Sequence, residues 1–209
     1  MQPTVFVIDD NQTVREFLET LFKSIELNVI SFANAAEFLQ YLAQPAPAIR
    51  SGCILLDVRM PQMSGIELQA HLVQRNSVGL PVIFLTGHAD VPMAVNALKS
   101  GAFDFIQKPF NNQQLVDRVQ KAIRFSEEKI RHQSKSSQKA NLLAQLTARE
   151  QQVFSLLVKG HTNIGVAKIL SVGTKTVETH RVNILKKLNV KNLADLIEID
   201  QLDRETTPS

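Results

Sequence analysis

The chain has 209 residues, of which 44% are hydrophobic and 21% charged, with a net charge of +3, an ordinary composition for one or two globular domains. No apolar run approaches the roughly 20 residues that span a bilayer, the start MQPTVFVIDD lacks the basic-then-apolar pattern of a secretory signal, and a single cysteine, Cys53, excludes an internal disulfide. These features exclude a membrane protein and lead us to expect a cytoplasmic one.

The first 120 residues alternate short apolar strands with amphipathic helices. Strands are predicted at Val5–Ile8, Val29–Phe32, Cys53–Leu56, Val82–Leu85 and Asp104–Ile106. Helices are predicted between and after them, at Val14–Phe22, Ala35–Leu42, Gly65–Leu72, Pro92–Leu98 and Gln114–Ile123. Leu18, Leu21 and Phe22 show the i, i+3, i+4 spacing of one buried face. Strand–helix alternation implies right-handed crossovers and a doubly wound, five-stranded parallel sheet of the α/β class. In such sheets ligands bind outside the carboxyl ends of the strands.

Residues 124–143 form a polar stretch without Gly or Pro. It reads as a helical linker that frays around Ser134–Ser137. From Leu146 the pattern is all-helical. Thr147 and Glu150 have capping-box spacing, Val153, Phe154, Leu157 and Val158 make an apolar face, and Gly160 supplies a stop. A short helix, Asn163–Leu170, a turn at Ser171–Gly173 and a helix at about Lys175–Leu188 follow. Val177, Ile184 and Leu188 are the expected buried stripe of the last one. Two helices joined by a short Gly-containing turn are a helix-turn-helix. A final helix is predicted at about Leu193–Leu202.

Charge differs between the halves. Residues 1–120 carry a net −3, residues 121–191 a net +10, and the last 18 residues a net −4. A basic helical domain suits a polyanion partner, although charge alone fits a merely soluble basic surface equally well.

Three strand ends carry acidic or polar groups: Asp9 and Asp10 after the first, Asp57 after the third, and Thr86 at the end of the fourth. The fifth runs into Gln107, Lys108 and Pro109. A parallel sheet brings these ends together. Clustered carboxylates repel, and a hard cation such as Mg²⁺, with oxygen ligands, relieves this. Asp57 could then attack phosphorus, with the metal and Lys108 neutralising the phosphoryl oxygens and Thr86 hydrogen-bonding one of them. A lone Asp after a strand is more often a turn or cap residue; the joint occurrence at neighbouring strand ends favours chemistry.

These residues resemble a known family. Asp9-Asp10, LLDVRMPQMSG at 55–65, LTG at 85–87 and KPF at 108–110 look like the receiver domain of bacterial two-component response regulators, over about residues 3–123. TGHADVPMAV at 86–95 resembles the NarL/FixJ branch. The resemblance implies a flavodoxin-like receiver with Asp57 as phosphoacceptor and Mg²⁺ among Asp9, Asp10, Asp57 and the backbone carbonyl of Arg59. It also implies a cis peptide before Pro109, a loop shaped by Pro61 and Gly65, and a switch that pairs Thr86 with the aromatic Phe105.

From 146, LTARE, Gly160, Asn163, TVETHR at 176–181 and the final KL look like the LuxR-type DNA-binding domain, over about 144–201. By that resemblance Glu178, Thr179 and Val182 face bases, while Lys175, Thr176 and Arg181 face phosphates. His180 reads as a packing residue. The last helix pairs subunits in relatives. Ile164, where the family usually has Lys, and Gly165 and Gly173, where polar residues are commoner, depart from the pattern.

The domains expected are a receiver at 1–123, a linker at 124–143 and a DNA-binding domain at 144–209. The expected function is a phosphorylation-activated transcriptional regulator, catalysing at most its own phosphoryl transfer and dephosphorylation. Its partners would be a sensor histidine kinase, double-stranded promoter DNA, RNA polymerase and, when phosphorylated, a second copy of itself. An Asp-nucleophile phosphatase is the rival. Its D-x-D pattern is missing, because Arg59 stands where the second Asp would. A phosphorylation-independent DNA binder is the third reading.

Overall fold

A computed structural model describes residues 2–44, 51–75, 79–87 and 91–202. The sheet contains β1 (Thr4–Ile8), β2 (Asn28–Phe32), β3 (Gly52–Asp57), β4 (Val82–Thr86) and β5 (Asp104–Gln107), all parallel, in the order β2-β1-β3-β4-β5. The helices of this part are α1 (Gln12–Lys23), α2 (Ala35–Ala43), α3 (Gly65–Arg75), α4 (Val91–Lys99) and α5 (Asn112–Leu143). All five predicted strands are present. Three of them extend one residue further at the carboxyl end, so Asp57, Thr86 and Gln107 lie on strands rather than after them. Residues 88–90 of the TGHADVPMAV motif and the acidic positions beyond 202 lie outside the described residues.

Strand side chains alternate between faces, and here both faces are covered. Phe6, Ile8, Ile54, Leu56, Val82 and Phe84 join one core with Phe38 of α2 and Leu68 and Leu72 of α3. Val5, Val7, Cys53, Leu55, Ile83 and Leu85 join the other with Leu18 and Phe22 of α1 and Leu115, Val119 and Ile123 of α5. That is why CILL reads as an unbroken apolar run: β3 is buried at every position.

The chain divides into two compact units, residues 1–130 and 131–209. Helix α5 does not fray at Ser134–Ser137; it is continuous from Asn112 to Leu143. Each serine costs only about 0.5 kcal/mol relative to Ala in a helix, and the Lys, Gln and Ala around them are strong helix formers. The buried Ser126 hydroxyl accepts the Gly52 N–H at 3.3 Å. Among the described residues, no helix is long and apolar enough to cross a membrane.

The second unit contains the end of α5 with α6 (Ala148–Leu157), α7 (Asn163–Leu170), α8 (Thr174–Lys187) and α9 (Leu193–Gln201). Leu146, Val153, Phe154, Leu157, Val166, Val177, Ile184, Leu188, Leu196 and Ile199 form its core, including the stripe expected on α8. Leu142 and Leu143 of α5 pack against that core, and Lys139 donates to the Asp200 carbonyl at 2.6 Å. The capping box is present: Thr147 Oγ1 accepts from Glu150 N, and Glu150 accepts from Thr147 N at 2.8 Å. Gly160 takes φ +87° after α6, a left-handed stop that glycine adopts without strain.

In the turn between α7 and α8 the left-handed residue is Ser171, at φ 52°. Gly173 is the N-cap of α8 in ordinary extended backbone and contributes no side-chain cap. Gly165 is equally undemanding, since a Cβ there would lie 3.5 Å from Thr162 Oγ1, an ordinary contact. Gly165→Ala is therefore expected to stabilise the second unit by up to about 1 kcal/mol, measured as a raised urea midpoint.

Lys187 of α8 donates to Glu150 Oε2 at 2.7 Å, tying the end of one helix to the start of another. The Glu150 carboxyl has its pKa lowered to about 2 from an ordinary 4.5, first by Lys187 and then by the Thr147 N–H. A depressed folded-state pKa contributes stability that is complete above the unfolded value and is lost as pH falls through the folded one. Hydrogen-exchange protection in α6 and α8 should therefore decline between about pH 4.5 and pH 2. Glu150→Gln should lower that protection at neutral pH and flatten its pH dependence in this window.

Candidate functional site

The strand order reverses at β1, whose neighbours are β2 on one side and β3 on the other. This is the switch point at which open α/β sheets bind ligands. Ile8 pairs with Leu56 across it, so the residues that follow, Asp9 and Asp57, are level with each other at the carboxyl ends. Asp9 is 2% exposed and Asp57 7%.

Lys108 joins them. Its Nζ lies 2.6 Å from Asp9 Oδ2 and 2.7 Å from Asp57 Oδ1. The remaining carboxylate oxygens are also held: Asp9 Oδ1 accepts the Asn11 N–H at 2.9 Å and Asp57 Oδ2 accepts the Arg59 N–H at 2.7 Å. The Lys108–Pro109 peptide is cis, as the resemblance implied. Burial pushes the Asp57 carboxyl above its usual pKa, outweighing the hydrogen bond from Lys108. Burial also works against the Lys108 ammonium, but the bonds to Asp57 and Asp9 outweigh it and hold its pKa above the ordinary value.

Thr86 is 1% exposed at the end of β4; its carbonyl accepts the Lys108 N–H at 2.7 Å, which places it directly beside the cluster. Phe105 is half-buried on β5, with its ring centroid 6.2 Å from that of Phe84. Asp10 and Arg59 are exposed.

Gly65 opens α3 against this pocket. Its N–H donates to the Val58 carbonyl at 3.0 Å, and a Cβ there would come within 2.2 Å of the Asp57 carbonyl oxygen. Val14, Phe17, Pro109 and Phe110 line an apolar recess of about 350 Å³ beside Lys108.

The acid cluster fits a hard cation in donor chemistry, since its side chains offer carboxylate oxygens alone. As the side chains stand, no three of His, Cys, Asp or Glu converge as a metal-holding group among the described residues. The reason is visible in the geometry: the Lys108 ammonium already joins Asp9 to Asp57, and Asp10 faces solvent.

In the second unit, α7 and α8 form the predicted helix pair. Lys175, Thr176, Glu178, Thr179 and Val182 are exposed on α8, Val182 at 63%, and Arg181 is half-buried. Positions 175, 178, 179, 182 and 186 follow helical spacing and make one outward stripe, opposite the buried Val177 and Ile184. The Thr179 hydroxyl donates to the Lys175 carbonyl at 3.0 Å. Ile164, near the start of α7, is 61% exposed. His180 is half-buried, which suits a packing role.

Sequence reasoning missed Arg15, which binds the carbonyls beneath the acidic pair, and the Lys187–Glu150 pair. Arg15 sits in no motif and lies six and five residues from its targets. Glu150 and Lys187 fall in the LTARE and KL motifs, but they are 37 residues apart, so only the fold shows that they pair.

Residues 5–120 match the model of the response regulator receiver domain, and residues 144–199 that of the bacterial regulatory proteins of the luxR family. The chain is 41% identical over 194 residues to the transcriptional regulatory protein TdiR of Thauera aromatica, covering 93% of this chain and 83% of that one. It is 35% identical over 195 residues to the transcriptional regulatory protein FixJ of Bradyrhizobium diazoefficiens, covering 93% of each. The solved structure of the response regulator StyR is 40% identical, with a TM-score of 0.80 over 96% of this chain and 99% of that one. With an acidic switch-point pocket in one unit and an outward-facing helix pair in the other, the chain belongs to the NarL/FixJ family of two-component response regulators, as a receiver joined to a LuxR-type DNA-binding domain.

Proposed function

We propose that Asp57 is the phosphoacceptor of a cytoplasmic transcription switch, and that a sensor histidine kinase is its donor. The observation that carries this is the buried Asp57 carboxylate at the β1–β3 switch point, held between Lys108 Nζ and the Arg59 N–H. An Asp57 oxygen attacks phosphorus, the bond from phosphorus to the donor imidazole breaks, and the imidazole leaves. Lys108, already 2.7 Å from Asp57, follows the charge onto a phosphoryl oxygen.

Asp9, Asp10, Asp57 and the carbonyl of Arg59 would hold Mg²⁺, which when bound neutralises phosphoryl charge. Thr86 donates its hydroxyl to the phosphoryl group, and Phe105 turns into the space that this movement leaves. Such a local charge event biases a two-state element. It favours a homodimer, which presents two α8 helices to promoter DNA and acts on RNA polymerase.

On α8, Lys175, Thr176 and Arg181 contact phosphates, while Glu178, Thr179 and Val182 read base edges. Residues 1–123 serve as the receiver, 124–143 as the linker helix and 144–209 as the DNA-binding domain. The chain catalyses at most its own phosphoryl transfer and dephosphorylation.

Incubation with Mg²⁺ and a small acyl phosphate tests the reading. Intact mass should show one stable adduct, and a mobility shift should show tighter DNA binding. Rapid turnover without an adduct would favour a phosphatase instead. An adduct that leaves DNA affinity unchanged would favour a phosphorylation-independent binder.

A further inference from the structure

Asp9 and Asp10 sit on the short loop from β1 to α1, and carboxylates on a loop are only as well placed as its backbone. Asn11 caps α1, its Oδ1 accepting the Thr13 N–H at 3.0 Å, and its own N–H donates to Asp9 Oδ1 at 2.9 Å. Arg15 Nη1, from the first turn of α1, donates to the Asp9 carbonyl at 2.8 Å and to the Asp10 carbonyl at 3.1 Å. Arg15 is half-buried, and its backbone is fixed by the helix through the Arg15 N–H to Asn11 carbonyl bond at 3.1 Å.

One rigid group thus holds both peptide units from which the two carboxylates project. Both bonds come from the one nitrogen Nη1; a lysine ammonium also has more than one N–H to give, but on a flexible stem that orders it less well than the planar guanidinium.

We infer that Arg15 is a positioning residue for the acid pair: by clamping the Asp9 and Asp10 carbonyls it presets the carboxylates for a divalent cation. The inference rests on the reading of Asp9, Asp10 and Asp57 as a cation site. It carries a sign that electrostatics alone does not. Removing a positive charge beside the site lessens repulsion toward a cation and so favours binding. Removing an outer clamp loosens the ligands and weakens binding, by about tenfold or more where such partners have been removed.

The test is Mn²⁺ titration of the full-length protein by water-proton relaxation, on wild type, Arg15→Met, Arg15→Lys and Asp10→Asn. It is done at a temperature where circular dichroism shows every variant fully folded, so that lost stability cannot mimic lost affinity. We expect Mn²⁺ affinity to fall about tenfold in Arg15→Met, to recover partly in Arg15→Lys, and to be largely lost in Asp10→Asn. Equal or tighter binding by both Arg15 variants, with Asp10→Asn still defective, overturns the clamp and leaves the cation site standing. If wild type takes up no Mn²⁺, or Asp10→Asn binds as well as wild type, the cation site is wrong and the clamp falls with it.

Discussion

Asp57→Asn is expected to take up no phosphate from an acyl-phosphate donor and to bind DNA with the same affinity whether or not the donor is present. The amide has no anionic oxygen to attack phosphorus, and the residues around it offer no substitute: Asp9 is tied to Asn11 and Lys108, and Asp10 is exposed. Intact mass after incubation with Mg²⁺ and the donor reads the first effect; a DNA titration reads the second. A covalent adduct on the variant would place the phosphoacceptor elsewhere.

The same substitution carries a stability expectation. Burial raises the Asp57 carboxyl above its usual pKa, so its folded-state pKa exceeds the unfolded value. Such a carboxylate disfavours folding at neutral pH, and that cost fades as pH falls and the group takes up a proton. The asparagine variant should therefore melt no lower than wild type at pH 7, even though it loses a contact with Lys108. Function and stability are opposed here, as is common where charge is buried for chemistry.

Gly65→Ala should be nearly as damaging by a different route. The added methyl would stand 2.2 Å from the Asp57 carbonyl oxygen and 3.0 Å from Leu56 Cγ. The first contact is with backbone, which has no rotamer to move. Helix α3 must then retreat from the end of β3, stretching the Gly65 N–H to Val58 carbonyl bond and shifting the Asp57 backbone. Overpacking of this kind costs about 1–3 kcal/mol, seen as a lower urea midpoint. A displacement near 1 Å at a reacting group slows chemistry about a hundredfold, seen as a slower rise of the adduct. If Gly65 served only to loosen the loop, alanine would raise stability instead.

Much of this was legible in the sequence because the signals were local. Apolar runs ending in Asp9, Asp57 and Thr86 located three strands and the candidate site at their ends together, and Thr147 with Glu150 located a helix start by side-chain logic alone. What was not legible depended on distance or on backbone. The need for glycine at Gly65 comes from the carbonyl of a residue eight positions earlier. Arg15 serves carbonyls rather than side chains, so no residue pattern announces it. In the helix-turn-helix the sequence marks a turn at Ser171–Gly173, but not that Ser171 rather than the glycine takes the left-handed backbone. The extent of α5 was underestimated because three serines were weighted more heavily than the helix formers around them.

Cys53 gives the molecule a built-in reporter. It is fully buried on β3, four residues before Asp57, and burial pushes its thiol up to about 12. At pH 8 only about one thiol in ten thousand is ionised, and the thiolate is the form that reacts. A soluble alkylating reagent therefore labels the chain only when the central strand opens. The second unit has no cysteine and stays silent. Labelling rate thus measures the opening of β3 alone, in the intact protein and without an introduced probe.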